Sequence, residues 1–373
     1  MQNITIVTYI PSPYQVELFN AIALSGKFNL QVVYLQSNCN IPVARHWQQP
    51  EIQHDHVILG DGSQQQRVKQ YIDSCDLVVF NYYRHRLITR LIDRRIALDL
   101  PWCFWGERPG FKYPKLLGKI YRRWKLARLH QRSVPIWGVG IWGIDGYRSE
   151  FGDRQYFNLP YFSNLSRFAT STRNFEREKR VFLYSGALSE RKGVDLLADT
   201  FGRLVDRFEQ IELHILGEGE LRLNLEHKLA RYPQQVKFFG FQPWDKLPHY
   251  YQQADILCVP SLYDGWGLVV PEGLAAGLPV IATDRTGAAI ELIRDGVNGW
   301  LVDANNGRSL SEAMEKAIAL SPQELANYSQ AASDRALKHS LTHGVHRFER
   351  AATETIEQFY ATQYESSARY SLP

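Results

Sequence analysis

Ten short apolar runs, none longer than seven residues, limit what this 373-residue chain can fold into. Five lie at residues 4–10, 30–35, 77–81, 102–105 and 136–139. Five more lie at 181–184, 213–216, 236–239, 256–259 and 280–282, beyond a Ser/Thr/Asn-rich stretch at 163–174. Gly and Pro punctuate the runs, and ten or more helix-compatible residues separate one from the next. Runs of that length without alternation are strands buried on both faces, joined in parallel by crossover helices. Two such sets predict an α/β protein of two doubly wound, Rossmann-like domains facing one another across a cleft. The length suits two cores better than one. The expected boundaries are 1–162 and 163–343, followed by a helical tail, 344–373, that packs back on the first domain.

Several classes drop out early. The longest uncharged run near the acidic motif described below, residues 273–283, is far short of the roughly 20 residues a spanning helix needs. Residues 4–10 lack the basic lead-in of a signal peptide. Cys39, Cys75, Cys103 and Cys258 show no metal-ligand spacing and read as reduced thiols of a cytoplasmic protein. No Asp-x-Asp stands where it could hold a divalent cation on a diphosphate, so neither metal nor resident cofactor is expected.

Charge is unevenly spread. Residues 108–132 hold nine Lys or Arg and no acid, although the whole chain carries only +4. A local patch argues against a general nucleic-acid binder. Within it Leu116, Leu117, Ile120, Trp124 and Ala127 recur at helical spacing, and Lys115, Lys119, Arg122, Arg123 and Arg128 fill the other side. A basic amphipathic helix carrying Trp124 reads as an element for an anionic membrane surface. The competing reading is a domain helix whose apolar stripe covers its own sheet.

In an open α/β sheet, ligands sit beyond the carboxyl ends of the strands. There, after the run at 256–259, Asp264 precedes Gly265-Trp266-Gly267 and Glu272 follows. A helix is expected to begin near Val270, with Pro271 and Glu272 in its first turn. The amides of Gly267, Leu268 and Val269 would then face a phosphate, and the two carboxylates would accept sugar hydroxyls beside it. A first-turn Glu that complements the helix dipole and an ordinary Asp-Gly turn explain the same pattern without a ligand.

Residues 260–270, PSLYDGWGLVV, and 272–283, EGLAAGLPVIAT, resemble the signature of glycosyltransferase family 4. These are retaining, nucleotide-sugar-dependent enzymes of the GT-B fold. The signature's core is Glu-x7-Glu, and Asp264-x7-Glu272 keeps its spacing with the first acid one methylene shorter. The resemblance implies that Asp264 contacts donor-sugar hydroxyls and that Glu272 holds the nucleotide ribose. Residues 185–195, SGALSERKGVD, are similar to the stretch in which the family places an Arg and a Lys on the diphosphate. Lys192 is in place, Ala187 stands at the Arg position, and Arg191 is the candidate replacement. The likeness continues through Gly186, Gly217 and Gly240-Phe241, where relatives pack the base, and completes a donor set with Gly265, Trp266, Gly267, Leu268 and Val269. Residues 287–302 continue it as structural turns, and 157–162 resemble an interdomain hinge.

In the amino-terminal half, PSPYQVELFN (11–20) is similar to an opening found in one branch of the family, which puts Ser12, Pro13 and Tyr14 at the ligand edge. Relatives often place a His after the fourth strand to contact the donor sugar. Glu107 stands there instead and can accept a hydroxyl; an ion pair with Arg108 accounts for it equally well. His85 is a lesser acceptor-side candidate, since a lone His is usually structural.

The expected activity is hexosyl transfer, with retention and without metal, from a nucleotide-diphosphate donor to an acceptor hydroxyl. UDP is favoured on family frequency. The acceptor is a glycan or a lipid-linked molecule in cell-envelope glycoconjugate synthesis, and the place is the cytoplasm or the inner face of the plasma membrane. The rival readings are a non-catalytic GT-B carbohydrate- or partner-binding protein, an inverting GT-B enzyme, or a nucleotide-sugar epimerase.

Overall fold

The computed structural model describes residues 1–38, 50–59, 64–109, 115–169 and 173–370. It divides into two compact units, Met1–Ser163 with Leu341–Pro373, and Asn164–Ser340. Cys39 lies outside the described residues; Cys75, Cys103 and Cys258 are buried free thiols.

The first unit holds β1 (Gln2–Thr8), β2 (Phe28–Tyr34), β3 (Asp55–Ile58), β4 (Leu77–Phe80), β5 (Trp102–Gly106), β6 (Ile136–Gly138) and β7 (Tyr156–Asn158). They form one sheet in the order β3-β2-β1-β4-β5-β6-β7. The second unit holds β8 (Arg180–Ser185), β9 (Ile211–Leu216), β10 (Val236–Gly240), β11 (Ile256–Val259), β12 (Val280–Thr283) and β13 (Gly299–Val302). Their order is β10-β9-β8-β11-β12-β13. The strand pairs in both sheets are parallel, in register from Gln2↔Phe28 in one and Arg180↔Ile211 in the other. Each unit is therefore doubly wound as the apolar runs require. In each, the chain reverses direction across the sheet once, between β1 and β4 and between β8 and β11.

The central strands are buried on both faces because helices cover them from both sides. β4, β11 and β12 contain no exposed residue. Three strands escape the sequence reading: β3, β7 and β13. All lie at sheet edges, span three or four residues, and include polar or half-exposed positions. β1 also stops at Thr8 rather than reaching Ile10, because the Ser12 amide donates to the Ile10 carbonyl at 2.9 Å and turns the chain before Pro13.

The Leu341–Tyr370 helix packs against the Pro13–Leu24 helix of the first unit. Its Phe348 ring lies edge-on to Trp137, centroids 5.4 Å apart, and Trp137 Nε1 donates to Thr355 Oγ1 at 3.2 Å. Among the described residues, no helix is long and apolar enough to cross a membrane.

Candidate functional site

At the β8/β11 reversal the second unit gathers most of the sequence candidates. The turn at Glu190–Lys192 leads into Gly193, which is left-handed at φ +65°. A Cβ there would lie 2.0 Å from the Pro260 carbonyl oxygen, so only glycine lets this turn touch the segment after β11. That contact brings Lys192 Nζ into an ion pair with Asp264 Oδ2, both side chains mostly shielded from solvent. Arg191 lies alongside but is turned elsewhere. Its Nη1 donates to the Tyr263 carbonyl at 2.8 Å, and its own carbonyl accepts from the Leu262 amide at 2.9 Å. Arg191 thus ties the β11 loop to the β8 loop, and four other guanidinium N–H groups remain to it.

The acidic loop is held from behind by the segment after β12. The Asp264 amide donates to the Arg285 carbonyl at 2.8 Å, and the Gly287 and Ala288 amides donate to the carbonyls of Asp264 and Trp266 at 3.1 and 2.7 Å. Trp266, expected among the donor contacts, is 1% exposed and stacks on His339 with ring centroids 5.4 Å apart. Its side chain is a core anchor, and only its backbone borders the loop. Gly265 and Gly267 are buried beside it, while Leu268 and Val269 are half-buried. The following helix, Val269–Ala275, is seven residues long. So short a helix offers a weak dipole, which leaves Lys192 as the main positive charge at this point.

Glu272 stands in the first turn of that helix and is buried. The Tyr251 hydroxyl donates to Glu272 Oε2 at 3.3 Å. The same hydroxyl is hydrogen-bonded with Ser185 at the end of β8, and burial, then the Glu272 charge, pushes its pKa far up. Ser185, Tyr251 and Glu272 thus form a polar chain that the sequence reading missed. Its members are 66 and 21 positions apart, and a buried Tyr in a helix gives no local signal.

The loops after β8, β9 and β10 run side by side. The Gly186 amide donates to the Leu216 carbonyl at 3.0 Å, and the Gly217 amide to the Gly240 carbonyl at 2.8 Å. Gly217 has φ +126°, and a Cβ there would sit 1.8 Å from the Gly186 oxygen. These three glycines let the loops touch, and Phe241, next to Gly240, is 49% exposed.

In the first unit, the carboxyl ends of β1, β4 and β5 carry a second polar cluster. Ser12 Oγ donates to Gln15 Oε1 at 2.8 Å, Gln15 Nε2 to Asn81 Oδ1 at 2.8 Å, and Thr8 Oγ1 to the same oxygen at 3.0 Å. Asn81 Nδ2 in turn donates to the Trp105 carbonyl at 3.0 Å. Pro13 opens the adjoining helix at its first position. The Tyr14 and Tyr161 rings lie 4.7 Å apart, and Tyr161 is hydrogen-bonded with both Tyr14 and Glu107. Burial, and after it the Glu107 charge, raises the pKa of both phenols, so both remain proton donors. Glu107 itself is exposed just past β5. Gln15, Asn81, Thr8 and Tyr161 are the members that sequence reasoning passed over.

Two candidates take other roles. His85 is the N-cap of the Arg86–Ala97 helix, its Nδ1 accepting from the Leu87 amide at 3.2 Å, which makes it a helix cap. Arg122, counted with the membrane-facing cations, turns inward to a 2.9 Å ion pair with Glu150. The Lys115 side chain lies outside the described residues. Also among the described residues, no cluster of three His, Cys, Asp or Glu could hold a metal ion.

Two doubly wound parallel-sheet units, with candidate groups at the carboxyl ends of both sheets, define the GT-B fold of glycosyltransferases. Residues 168–335, most of the second unit, match the model of the glycosyl transferases group 1 family. An uncharacterised glycosyltransferase of Methanocaldococcus jannaschii is 30% identical over 144 residues, 38% of this chain and 36% of that protein. The D-inositol 3-phosphate glycosyltransferase of Corynebacterium jeikeium is 30% identical over 208 residues, 48% of this chain and 49% of that one. The chain thus spans about a third to a half of the length of these curated relatives. Among solved structures, HepE of Anabaena in complex with UDP superposes with a TM-score of 0.75 at 16% identity, covering 95% of this chain and 100% of that one. Sucrose-phosphate synthase of Thermosynechococcus elongatus superposes with 0.74 at 17% identity, covering 97% and 100%.

Proposed function

We propose that the chain is a retaining glycosyltransferase that moves a hexosyl group from a UDP-sugar to a hydroxyl of a glycan or lipid-linked acceptor. The observation that carries this reading is the Lys192–Asp264 pair, held beside Glu272 and the Gly186 loop at the carboxyl ends of β8 and β11. A doubly wound sheet binds phosphorylated ligands at such a reversal point. Lys192 carries three N–H donors, so it can keep Asp264 and still bind a diphosphate oxygen. Asp264 then accepts from a sugar hydroxyl with its second oxygen, Glu272 from the ribose, and the base lies along Gly240 and Phe241. The group 1 family match and the UDP held by HepE support the choice of donor.

In the reaction the bond between the anomeric carbon and the β-phosphate oxygen breaks, and the acceptor oxygen bonds to the same face of that carbon. The acceptor proton passes to the leaving phosphate. Charge grows on that phosphate in the transition state, where a fixed cation helps most. Lys192, with Arg191 beside it, supplies that cation without a metal. The Ser12, Tyr14, Tyr161 and Glu107 cluster of the first unit offers donors and a carboxylate suited to the acceptor or donor-sugar hydroxyls.

Calorimetry against a panel of nucleotide sugars, followed by NMR of the product anomer with and without chelator, tests the proposal. The expected result is selective binding of a UDP-sugar, UDP release that requires acceptor, and a retained anomer insensitive to chelation. Binding without turnover on any glycan or lipid-linked acceptor would favour the non-catalytic rival; an inverted anomer would reject the mechanism.

A further inference from the structure

The Lys115–Lys125 helix has its apolar stripe on the wrong side for a helix that covers its own sheet. Leu117, Ile120 and Trp124 are 61%, 61% and 67% exposed. At about 100° per residue, the three fall within an arc of about 60°. The inward face carries Gly118, which is buried, and Arg122, ion-paired with Glu150. Arg122 projects from roughly the opposite side of the helix to Ile120 and Trp124. The fold therefore spends a charged side chain on anchoring the helix and leaves Leu117, Ile120 and Trp124 in water, which a free-standing surface would not favour.

Cations frame the stripe. Lys119 and Arg123 are exposed on one flank. On the other, the Lys125 ammonium sits over the Trp124 ring, 4.3 Å from its centroid. Arg84, exposed at the end of the β4 loop, interacts with Tyr121 of the same helix. The helix sequence contains no Asp or Glu, and Glu150, which pairs with Arg122, has a side chain only 5% exposed.

We propose that this helix docks the protein on an anionic lipid bilayer. Leu117, Ile120 and Trp124 enter the boundary between headgroups and acyl chains, and Lys119, Arg123 and Lys125 remain at the phosphate level. Charge complementarity selects this occupant. A second copy of the chain would set the same cations against one another, whereas anionic headgroups neutralise them. Trp with a flanking Lys is suited to that depth, its ring apolar and its rim polar. The proposal stands apart from the transfer reaction, since it concerns a surface that no donor residue shares.

The test is sedimentation of the full chain with vesicles of phosphatidylcholine alone and with 30% phosphatidylglycerol, at two salt concentrations. The expected result is binding to the anionic vesicles, weakened about fivefold per cation by Lys119→Gln or Arg123→Gln and weakened also by raised salt. Ile120→Ser and Trp124→Ser should each lower binding about tenfold. Unchanged UDP affinity and circular dichroism show that these exposed-site variants fold, so loss of binding is then specific to the face. Absence of vesicle binding, or equal binding by the Ile120→Ser/Trp124→Ser double variant, overturns the proposal. So does a dimer that Trp124→Ser converts to monomer.

Discussion

Lys192 and Asp264 form the pair on which the proposed chemistry turns, and each is the other's closest countercharge. Lys192→Ala removes the cation from the leaving phosphate and should lower kcat by about a hundred- to a thousandfold. Asp264→Ala removes the proposed sugar contact and also takes from Lys192, partly shielded from solvent, its ion-pair partner. The double variant should therefore lose less than the sum of the singles, a coupling that steady-state kinetics on all four proteins measures. Trp266 belongs to the same loop but to a different kind of effect. At 1% exposure and stacked on His339, it is a core residue, and Trp266→Ala should cost roughly 3–5 kcal/mol in denaturant unfolding. Asp264 and Glu272 were legible as candidates from their spacing within one stretch, and Lys192 from a separate motif; that Lys192 meets Asp264, 72 positions on, was not. The inward turn of Trp266 was not, since a Trp between two glycines looks the same in sequence whether it meets a ligand or His339, 73 positions later. Tyr251, Asn81 and Gln15 were hidden for the same reason: each acquires its role from a partner far along the chain.

At the level of elements, most strands found from sequence are apolar runs buried in the sheet interior; β10 is the exception, an edge strand with Lys237 exposed that Val236, Phe238 and Phe239 still reveal. The missed β3, β7 and β13 lie at edges, where one side needs no neighbour and Asp55, His56 or Asn158 can intrude. The β3 edge nevertheless has a specific fastening. His54, directly before it, is 3% exposed; its Nδ1 donates to Asn20 Oδ1 at 2.7 Å and its Nε2 accepts from the Tyr34 hydroxyl at 3.0 Å. Asn20 Oδ1 also accepts from the Gln53 amide at 2.9 Å. That bonding suits the neutral ring. Burial, with a smaller push from His56, lowers its pKa from 6.5 to about 4, against an opposing pull from Asp55. The unfolded chain binds this proton below pH 6.5 and the folded chain only near 4, so the stabilisation is complete above 6.5 and is lost as pH falls toward 4. The loss is about 3 kcal/mol. Urea unfolding from pH 7 to pH 4 should show it, and His54→Gln should flatten that part of the acid limb while lowering stability at pH 7.

For the whole molecule, two sheets of the same winding give two places where phosphorylated ligands can sit, and the strand order does not distinguish them. The loops do. In the second unit the crossings at Gly193 and Gly217 leave room only for backbone, and Lys192 stands at their edge. In the first unit the corresponding end of the sheet carries Ser12, Gln15, Asn81 and two phenols, with the carboxylate of Glu107 beside them. A diphosphate carrying a full negative charge per phosphate should therefore choose the second unit, where the cation is, and be repelled by Glu107 in the first. Hydrogen exchange with and without UDP separates the two. Protection should rise in residues 185–193, 216–219, 240–241 and 260–288 and stay unchanged in residues 8–15 and 105–108. At a hundredfold excess over Kd the bound nucleotide should stabilise the protein by about 2.7 kcal/mol, seen as a higher Tm. Lys192→Ala should abolish most of that rise, whereas Glu107→Gln should leave it in place. Protection centred on residues 8–15 would reverse the roles of the two units.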